Sequence, residues 1–147
     1  MLIDDDEPTN FLSNMIIEEA GCAEHIQIES SGKKGIDYLV NSQKLAYTDK
    51  NYPWPDLVFL DINMPAMNGW EFLVKYNELE KRPRHEIIVV MLTTSLDPND
   101  EVKAKNISGV NDFIHKPLSE DLVMEILEKY FPENFRPVRV IQTVAKE

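Results

Sequence analysis

The chain has 147 residues, of which 26 are acidic and 15 basic, giving a formal charge of −11 with 43% apolar side chains. The apolar share supplies a core for one compact domain and excludes wholesale disorder. The acidic excess opposes non-specific attraction to nucleic acid, and no stretch approaches the about 20 apolar residues of a membrane span.

Cys22 is the only cysteine, so no disulfide forms within the chain; its apolar surroundings read as a small buried hydrophobe. Met1-Leu2-Ile3-Asp4 has neither the basic region nor the apolar core of a signal peptide. A soluble cytoplasmic protein is expected, with neither nucleic acid nor membrane as a partner.

Short apolar runs then alternate with amphipathic stretches. Leu2-Ile3 leads directly into Asp4-Asp5-Asp6. Glu7 to Ala20 reads as a helix, with Asp6 as N-cap, Pro8 in the first turn, and Leu12, Met15, Ile16 and Glu19 on one side. Ile26 to Ser30 alternates as a strand, and Gly32 to Ser42 is a second helix carrying Ile36, Leu39 and Val40. Lys44 to Pro55, with Tyr47, Tyr52 and Trp54, reads as an irregular loop whose aromatics pack locally.

Leu57 to Leu60 is an all-apolar strand ending at Asp61. The third helix runs from Gly69 to about Glu80, burying Phe72, Leu73, Tyr76 and Leu79. Ile87 to Leu92 is apolar at every position. Asp97-Pro98 starts a fourth helix reaching about Asn106. Val110 to Ile114 is the fifth strand, and Ser119 to Tyr130 the fifth helix, with Leu122, Val123, Ile126, Leu127 and Tyr130 inward. In Phe131 to Glu147, Val138, Val140 and Val144 against Arg139 and Thr143 suggest either an extended strand or a loosely packed tail.

Strands hydrophobic on both faces belong in a parallel sheet covered by helices. Five β-α units make a doubly wound α/β domain, whose crevice lies beyond the carboxyl ends of the strands. There stand Asp4-Asp5, Asp61, Thr93 and Lys116, one set after each of the first, third, fourth and fifth strands. Singly, each residue reads as a cap, a turn former, a β-former or a solvated charge. Together they form a site. Three carboxylates repel unless a cation joins them, and hard oxygen ligands suit Mg2+. A carboxylate is also a nucleophile toward phosphorus, while an ammonium and a hydroxyl neutralise phosphoryl oxygens.

The motifs Leu2-Ile3-Asp4-Asp5-Asp6, Leu57-Val58-Phe59-Leu60-Asp61-Ile62-Asn63-Met64-Pro65 with Asn68-Gly69, Met91-Leu92-Thr93-Thr94, and Phe113-Ile114-His115-Lys116-Pro117 resemble response-regulator receivers. The resemblance spans about Leu2 to Tyr130. It implies a flavodoxin-like fold of strand order 2-1-3-4-5 with five flanking helices, a receiver over residues 1–130 and a tail over 131–147. It implies that Asp61 accepts a phosphoryl group from a sensor histidine kinase or histidine phosphotransfer protein. Asp5, Asp61 and the Asn63 carbonyl are implied as direct Mg2+ ligands, with Asp4 acting through water. Lys116 is implied to contact the phosphoryl group, and the peptide before Pro117 to be cis. Thr93 and Phe113 are implied as a switch pair that repacks the face of the fourth helix, fifth strand and fifth helix. Thr94 leaves room for the phosphoryl group, while Asn63 and Ser95 tune its lifetime. The protein would act as a signalling phosphoacceptor catalysing only its own phosphotransfer and autodephosphorylation.

The first strand is shorter than in receivers generally, as if the chain began inside it, and the Lys44 to Pro55 loop is longer. With no room for a helix-turn-helix output, the expected role is relay through protein docking. A free single-domain regulator, a phosphorelay intermediate and a receiver cut from a hybrid kinase all fit. A flavodoxin-type FMN protein would want a phosphate loop where Asp4-Asp5-Asp6 stands. A haloacid-dehalogenase-type phosphatase would want Asp where Asn63 stands. A receiver that is not phosphorylated is the remaining alternative.

Overall fold

A computed structural model describes residues 1–45, 47–79 and 85–134. Along them run β1 (Leu2–Ile3), α1 (Glu7–Ala20), β2 (Ile28–Glu29), α2 (Gly32–Leu45), β3 (Leu57–Leu60), α3 (Gly69–Glu78), β4 (Ile88–Thr93), α4 (Pro98–Asn106), β5 (Asp112–His115) and α5 (Glu120–Tyr130). All pairings are parallel, in the order β2-β1-β3-β4-β5. Reversal of strand order beside β1 opens the crevice at the carboxyl ends of β1 and β3.

Each helix begins where its sequence offers a cap. Asp6 accepts the Thr9 N–H at 3.0 Å, Asp97 the Asn99 N–H at 2.9 Å, and Ser119 the Leu122 N–H at 3.3 Å. Asn68 and Glu71 form a reciprocal capping box at the start of α3, both bonds 2.9 Å. Gly21 ends α1 at φ 61°, a left-handed conformation that a residue without Cβ adopts freely.

Two apolar clusters sandwich the sheet. One joins Leu39 of α2 and Phe72, Leu73 and Tyr76 of α3 to Ile3, Val58, Leu60, Val89 and Met91. The other joins Ile17 of α1 and Val123 and Ile126 of α5 to Leu2, Phe59, Val90 and Leu92. Inward positions of α3 and α5 follow their apolar periodicity.

Helix α1 does not. Its buried residues are Asn10, Ser13 and Ile17, whereas Leu12 and Met15 of the expected stripe are 59% and 39% exposed. The face against the sheet lies beside Asp4, whose backbone carbonyl accepts from the Asn10 side-chain amide at 2.8 Å. A polar strand end needs polar neighbours, so small polar residues displace the apolar stripe. Cys22 is likewise exposed rather than buried, in the turn after the Gly21 cap, where its thiol donates to the Ile17 carbonyl at 3.8 Å.

Several boundaries move. Strand β2 is shorter than expected and sits at the sheet edge, while α2 continues to Leu45. Strand β5 starts two residues late; just before it Asn111 bonds Val89 twice, its N–H donating to the Val89 carbonyl and its side-chain oxygen accepting the Val89 N–H, each at 2.8 Å. The long loop after α2 is pinned by side-chain bonds, although Tyr47 stays 65% exposed. Tyr38 Oη donates to the Pro53 carbonyl at 2.8 Å, Ser42 Oγ to the Tyr52 carbonyl at 3.0 Å, and Trp54 Nε1 to the His85 carbonyl at 3.1 Å. Glu80 and the strand or loose tail expected around Val138, Val140 and Val144 lie outside the described residues.

The reversed α1 face gives a stability test. Leu12→Ser should change unfolding free energy by no more than about 0.5 kcal/mol, as surface substitutions do. Ile17→Ala should cost about 2–4 kcal/mol through transfer and cavity terms. Urea unfolding of the two variants checks this, and the opposite ranking would restore the apolar stripe as the buried face.

Candidate functional site at the strand ends

Four of the five strands deliver a polar residue to one crevice. Asp4 follows β1, Asp61 follows β3, Thr93 ends β4 and Lys116 follows β5. Asp61 is held in line by its N–H, which donates to the Ile3 carbonyl at 2.9 Å, and Lys116 by its N–H to the Thr93 carbonyl at 2.8 Å. The Lys116–Pro117 peptide is cis.

The side chains converge. Lys116 Nζ lies 2.5 Å from Asp4 Oδ2 and 3.3 Å from Asp61 Oδ1. Asp4 and Asp61 are 5% and 6% exposed, so this ion cluster is almost wholly shielded from water on the protein side. Asp4 Oδ1 also accepts the Asp6 N–H at 2.9 Å, which turns the acidic loop into the first turn of α1. Asp5 remains exposed. One carboxylate oxygen each from Asp4, Asp5 and Asp61 lies within 4.8 Å of the others, close enough for one cation to touch all three.

Electrostatics follow from that packing. Burial, and after it the Asp4 charge, push the Asp61 carboxyl above the usual carboxylate range, with Lys116 offsetting part of the effect. Burial alone would lower Lys116. Its contacts with Asp4 and Asp61 outweigh that and hold the ammonium above the usual lysine value. One ammonium thus partly neutralises a cluster of three carboxylates. Oxygen donors with residual negative charge and one open side suit Mg2+, which keeps waters and few protein ligands.

The remaining expected residues divide. Thr93 is fully buried, and its hydroxyl oxygen accepts the Ser95 N–H at 3.0 Å, leaving the hydroxyl proton to donate. Thr94 and Asn63 are exposed at the crevice mouth. Ser95 donates to Asp100 Oδ2 at 2.5 Å, tying the loop to α4. Phe113 is half-buried, its ring edge-on to His115 with centroids 5.5 Å apart. The loop after Asp61 doubles back tightly. Ala66 has φ 64°, and the Gly69 N–H donates to the Ile62 carbonyl at 2.8 Å. A Cβ on Gly69 would stand 2.6 Å from the Asp61 carbonyl oxygen, so the close approach requires glycine.

Sequence reasoning missed Asn10 and Ser13, buried polar residues packed behind Asp4. Their signal was a polar pair three apart on a helix that directly follows an acidic strand end.

Residues 1–128 match the response regulator receiver domain. The chain belongs to the response regulator receiver family. A two-component response regulator from Cytophaga hutchinsonii is similar, with 34% identity, a TM-score of 0.77, and coverage of 89% of this chain and 94% of that one. Among curated relatives, the hybrid signal transduction histidine kinase L of Dictyostelium discoideum is 27% identical over 88% of this chain and 7% of its own length. The phosphate regulon transcriptional regulatory protein PhoB of Escherichia coli is 39% identical over 55% of this chain and 34% of its own length. The chain therefore spans well under half of these curated relatives. The doubly wound fold of order 2-1-3-4-5 is the receiver fold. Receivers are signalling phosphoacceptors in two-component and phosphorelay pathways rather than classical enzymes. Among the described residues no helix is long and apolar enough to cross a membrane.

The raised Asp61 pKa fixes a sign. A carboxyl that binds its proton more tightly when folded adds stability below its unfolded pKa, and that stability is lost as pH rises through the folded pKa. Metal-free Asp61→Asn should therefore unfold at a higher temperature than wild type at neutral pH. The gap should close as pH falls toward the unfolded carboxylate value of about 3.9. Thermal melts in a metal chelator across that range check it; a less stable variant at neutral pH would contradict the repulsion.

Proposed function

We propose that this protein is a phospho-accepting receiver in which Asp61 takes a phosphoryl group from a histidine kinase or histidine phosphotransfer protein. The observation that carries the reading is Lys116 Nζ bridging Asp4 and Asp61 at 2.5 and 3.3 Å beside the exposed Asp5. In this reading an Asp61 carboxylate oxygen attacks phosphorus as the phosphorus–nitrogen bond of the donor phosphohistidine breaks, and the histidine leaves as imidazole. Little else is needed from the protein than positioning and charge neutralisation.

Asp5 and Asp61, with the Asn63 carbonyl, would hold Mg2+, Asp4 acting through water. Bound there, the ion would neutralise charge developing on the transferred oxygens. Lys116, freed in part from Asp61, supplies the second positive charge. Thr93 keeps its oxygen on the Ser95 N–H while its hydroxyl proton is free to donate to a phosphoryl oxygen. Thr94 and Asn63 border the space that oxygen would occupy.

A new dianion beside Thr93 and Lys116 biases the surrounding packing. Movement of Thr93 makes room for the half-buried Phe113 ring to turn inward, and the surface of α4, β5 and α5 changes for a docking partner. The receiver is proposed to end near residue 130, with 131–147 as a separate tail. Cytoplasmic location, and relay through protein docking rather than nucleic acid, complete the reading. Like other receivers, it would catalyse only its own phosphotransfer and autodephosphorylation.

Incubation with acetyl phosphate and Mg2+ should add one phosphoryl mass to the wild-type protein and none to Asp61→Asn. Full mass gain in Asp61→Asn would overturn the assignment. Asp5→Ala should weaken Mg2+ binding and slow the reaction, read by intrinsic fluorescence titration and by mass. Thr93→Ala should still accept the group. Its backbone amide shifts across residues 96–130 should respond less to beryllofluoride than those of wild type, and identical responses would sever Thr93 from the switch.

A further inference from the structure

Directly behind the acidic cluster lies a cavity of about 10 Å³ between α1 and the ends of β1, β3 and β4. Its lining is mixed: Asp4, Asn10, Ser13 and Asp61, all nearly buried, face Leu2, Ile3, Phe59 and Leu92. That volume is at the lower bound of what one water molecule needs, and the four polar residues in an otherwise apolar lining offer it the partners that a wholly apolar void lacks.

The hydrogen-bond inventory around it is incomplete without such a molecule. Ser13 is 4% exposed, and among the described residues its hydroxyl has no hydrogen-bond partner. Asn10 spends its amide on the Asp4 carbonyl at 2.8 Å, which leaves its oxygen as an acceptor. The carboxylates of Asp4 and Asp61 have more acceptor positions than Lys116 and the Asp6 N–H fill. Buried polar groups are as a rule satisfied by protein or by ordered water. A water here would accept from the Ser13 hydroxyl and donate twice, to oxygens of Asn10 and of the carboxylate pair.

We propose that this cavity binds one structural water linking Ser13 and Asn10 of α1 to Asp4 and Asp61, and that Ser13 is thereby a positioning residue for Asp61. The consequence for reaction rests on Asp61 being the phosphoryl acceptor. Lys116 pulls on the Asp61 carboxylate from the crevice side. The water holds the same group from behind, so the side chain keeps one rotamer and presents a fixed oxygen to an incoming phosphorus. Water-mediated bonds approach direct ones in enthalpy, so the tether resists rotation at little cost. It also accounts for α1 turning Asn10 and Ser13, rather than Leu12 and Met15, to the sheet.

The test has a structural and a kinetic arm, both on the full chain. A crystal structure at a resolution that shows ordered solvent should place one water within hydrogen-bond distance of Ser13 Oγ and of an Asp4 or Asp61 oxygen. With acetyl phosphate and Mg2+, Ser13→Ala should lower the maximal phosphorylation rate roughly three- to ten-fold, the value of one such bond. The half-saturating donor concentration should not change, and Ser13→Thr, which keeps the hydroxyl, should recover most of the rate. A general packing defect would instead lower the melting temperature of both variants without that split. A dry cavity overturns the proposal, as does a wild-type rate in Ser13→Ala. If the wild-type chain itself takes no phosphoryl group, the acceptor reading fails, and the water stands or falls on the crystal structure.

Discussion

Three carboxylates converge on one crevice because parallel β1 and β3 lie side by side and both end in aspartate. At an effective dielectric of about 20, two unit charges 4 Å apart interact by roughly 4 kcal/mol, so such a cluster opposes folding unless cations join it. Lys116 supplies one positive charge and reaches Asp4 and Asp61 together. One ammonium against three carboxylates leaves negative charge to spare. The site therefore keeps net negative charge, the electrostatic condition a divalent cation would relieve.

Holding that arrangement requires rigid strand ends, and the two apolar clusters provide them. Leu60, Val90 and Met91 are completely buried next to the residues that carry charge. Backbone bonds then transmit the alignment: Asp61 N–H to Ile3, Lys116 N–H to Thr93. Precision at the crevice comes from strands and not from loops. The loop after Asp61 is constrained in its own way, by the close approach of Gly69 to the Asp61 carbonyl and by the Asn68–Glu71 capping box.

The sequence made the topology legible because each signal was local. All-apolar runs at 57–60 and 87–92 mark buried parallel strands, and Asp6, Asp97 and Ser119 cap the helices they precede. The site was legible because its members all follow strand ends, which topology brings together. Three readings failed or moved because a neighbouring element overrode a local pattern. Leu12 and Met15 lost the inward face of α1 to residues facing Asp4, Cys22 lies exposed after the Gly21 turn, and Asn111 clasps Val89 with its backbone N–H and its side-chain oxygen ahead of the regular strand. The Lys116 contact with Asp4, 112 residues away, was equally beyond local reasoning. Spacing places both residues at the crevice but does not say which carboxylate the ammonium prefers.

That preference bears on how a signal would leave the site. Asp4 holds Lys116 more closely than Asp61 does, so the ammonium is anchored mainly on β1, next to the strand of the proposed acceptor. Phosphorylation of Asp61 would then not have to recruit a distant cation; it would redistribute one already in place, a displacement of small amplitude. The backbone of Lys116 is bonded to the Thr93 carbonyl, and the β4–β5 register pairs Met91 with Phe113 and Thr93 with His115. A pull on Lys116 is thus felt on β4 and β5 at the two positions that flank the Phe113–His115 ring contact. Since the energy available is that of a few charge-assisted hydrogen bonds, the expected output is a shift between packed arrangements that both exist beforehand rather than a new fold of the face. Within the proposed switch, rigid strand ends would let so small a change act at a distance: a half-buried Phe113 ring beside a closely packed core would convert a displacement at the crevice into a different surface on α4, β5 and α5.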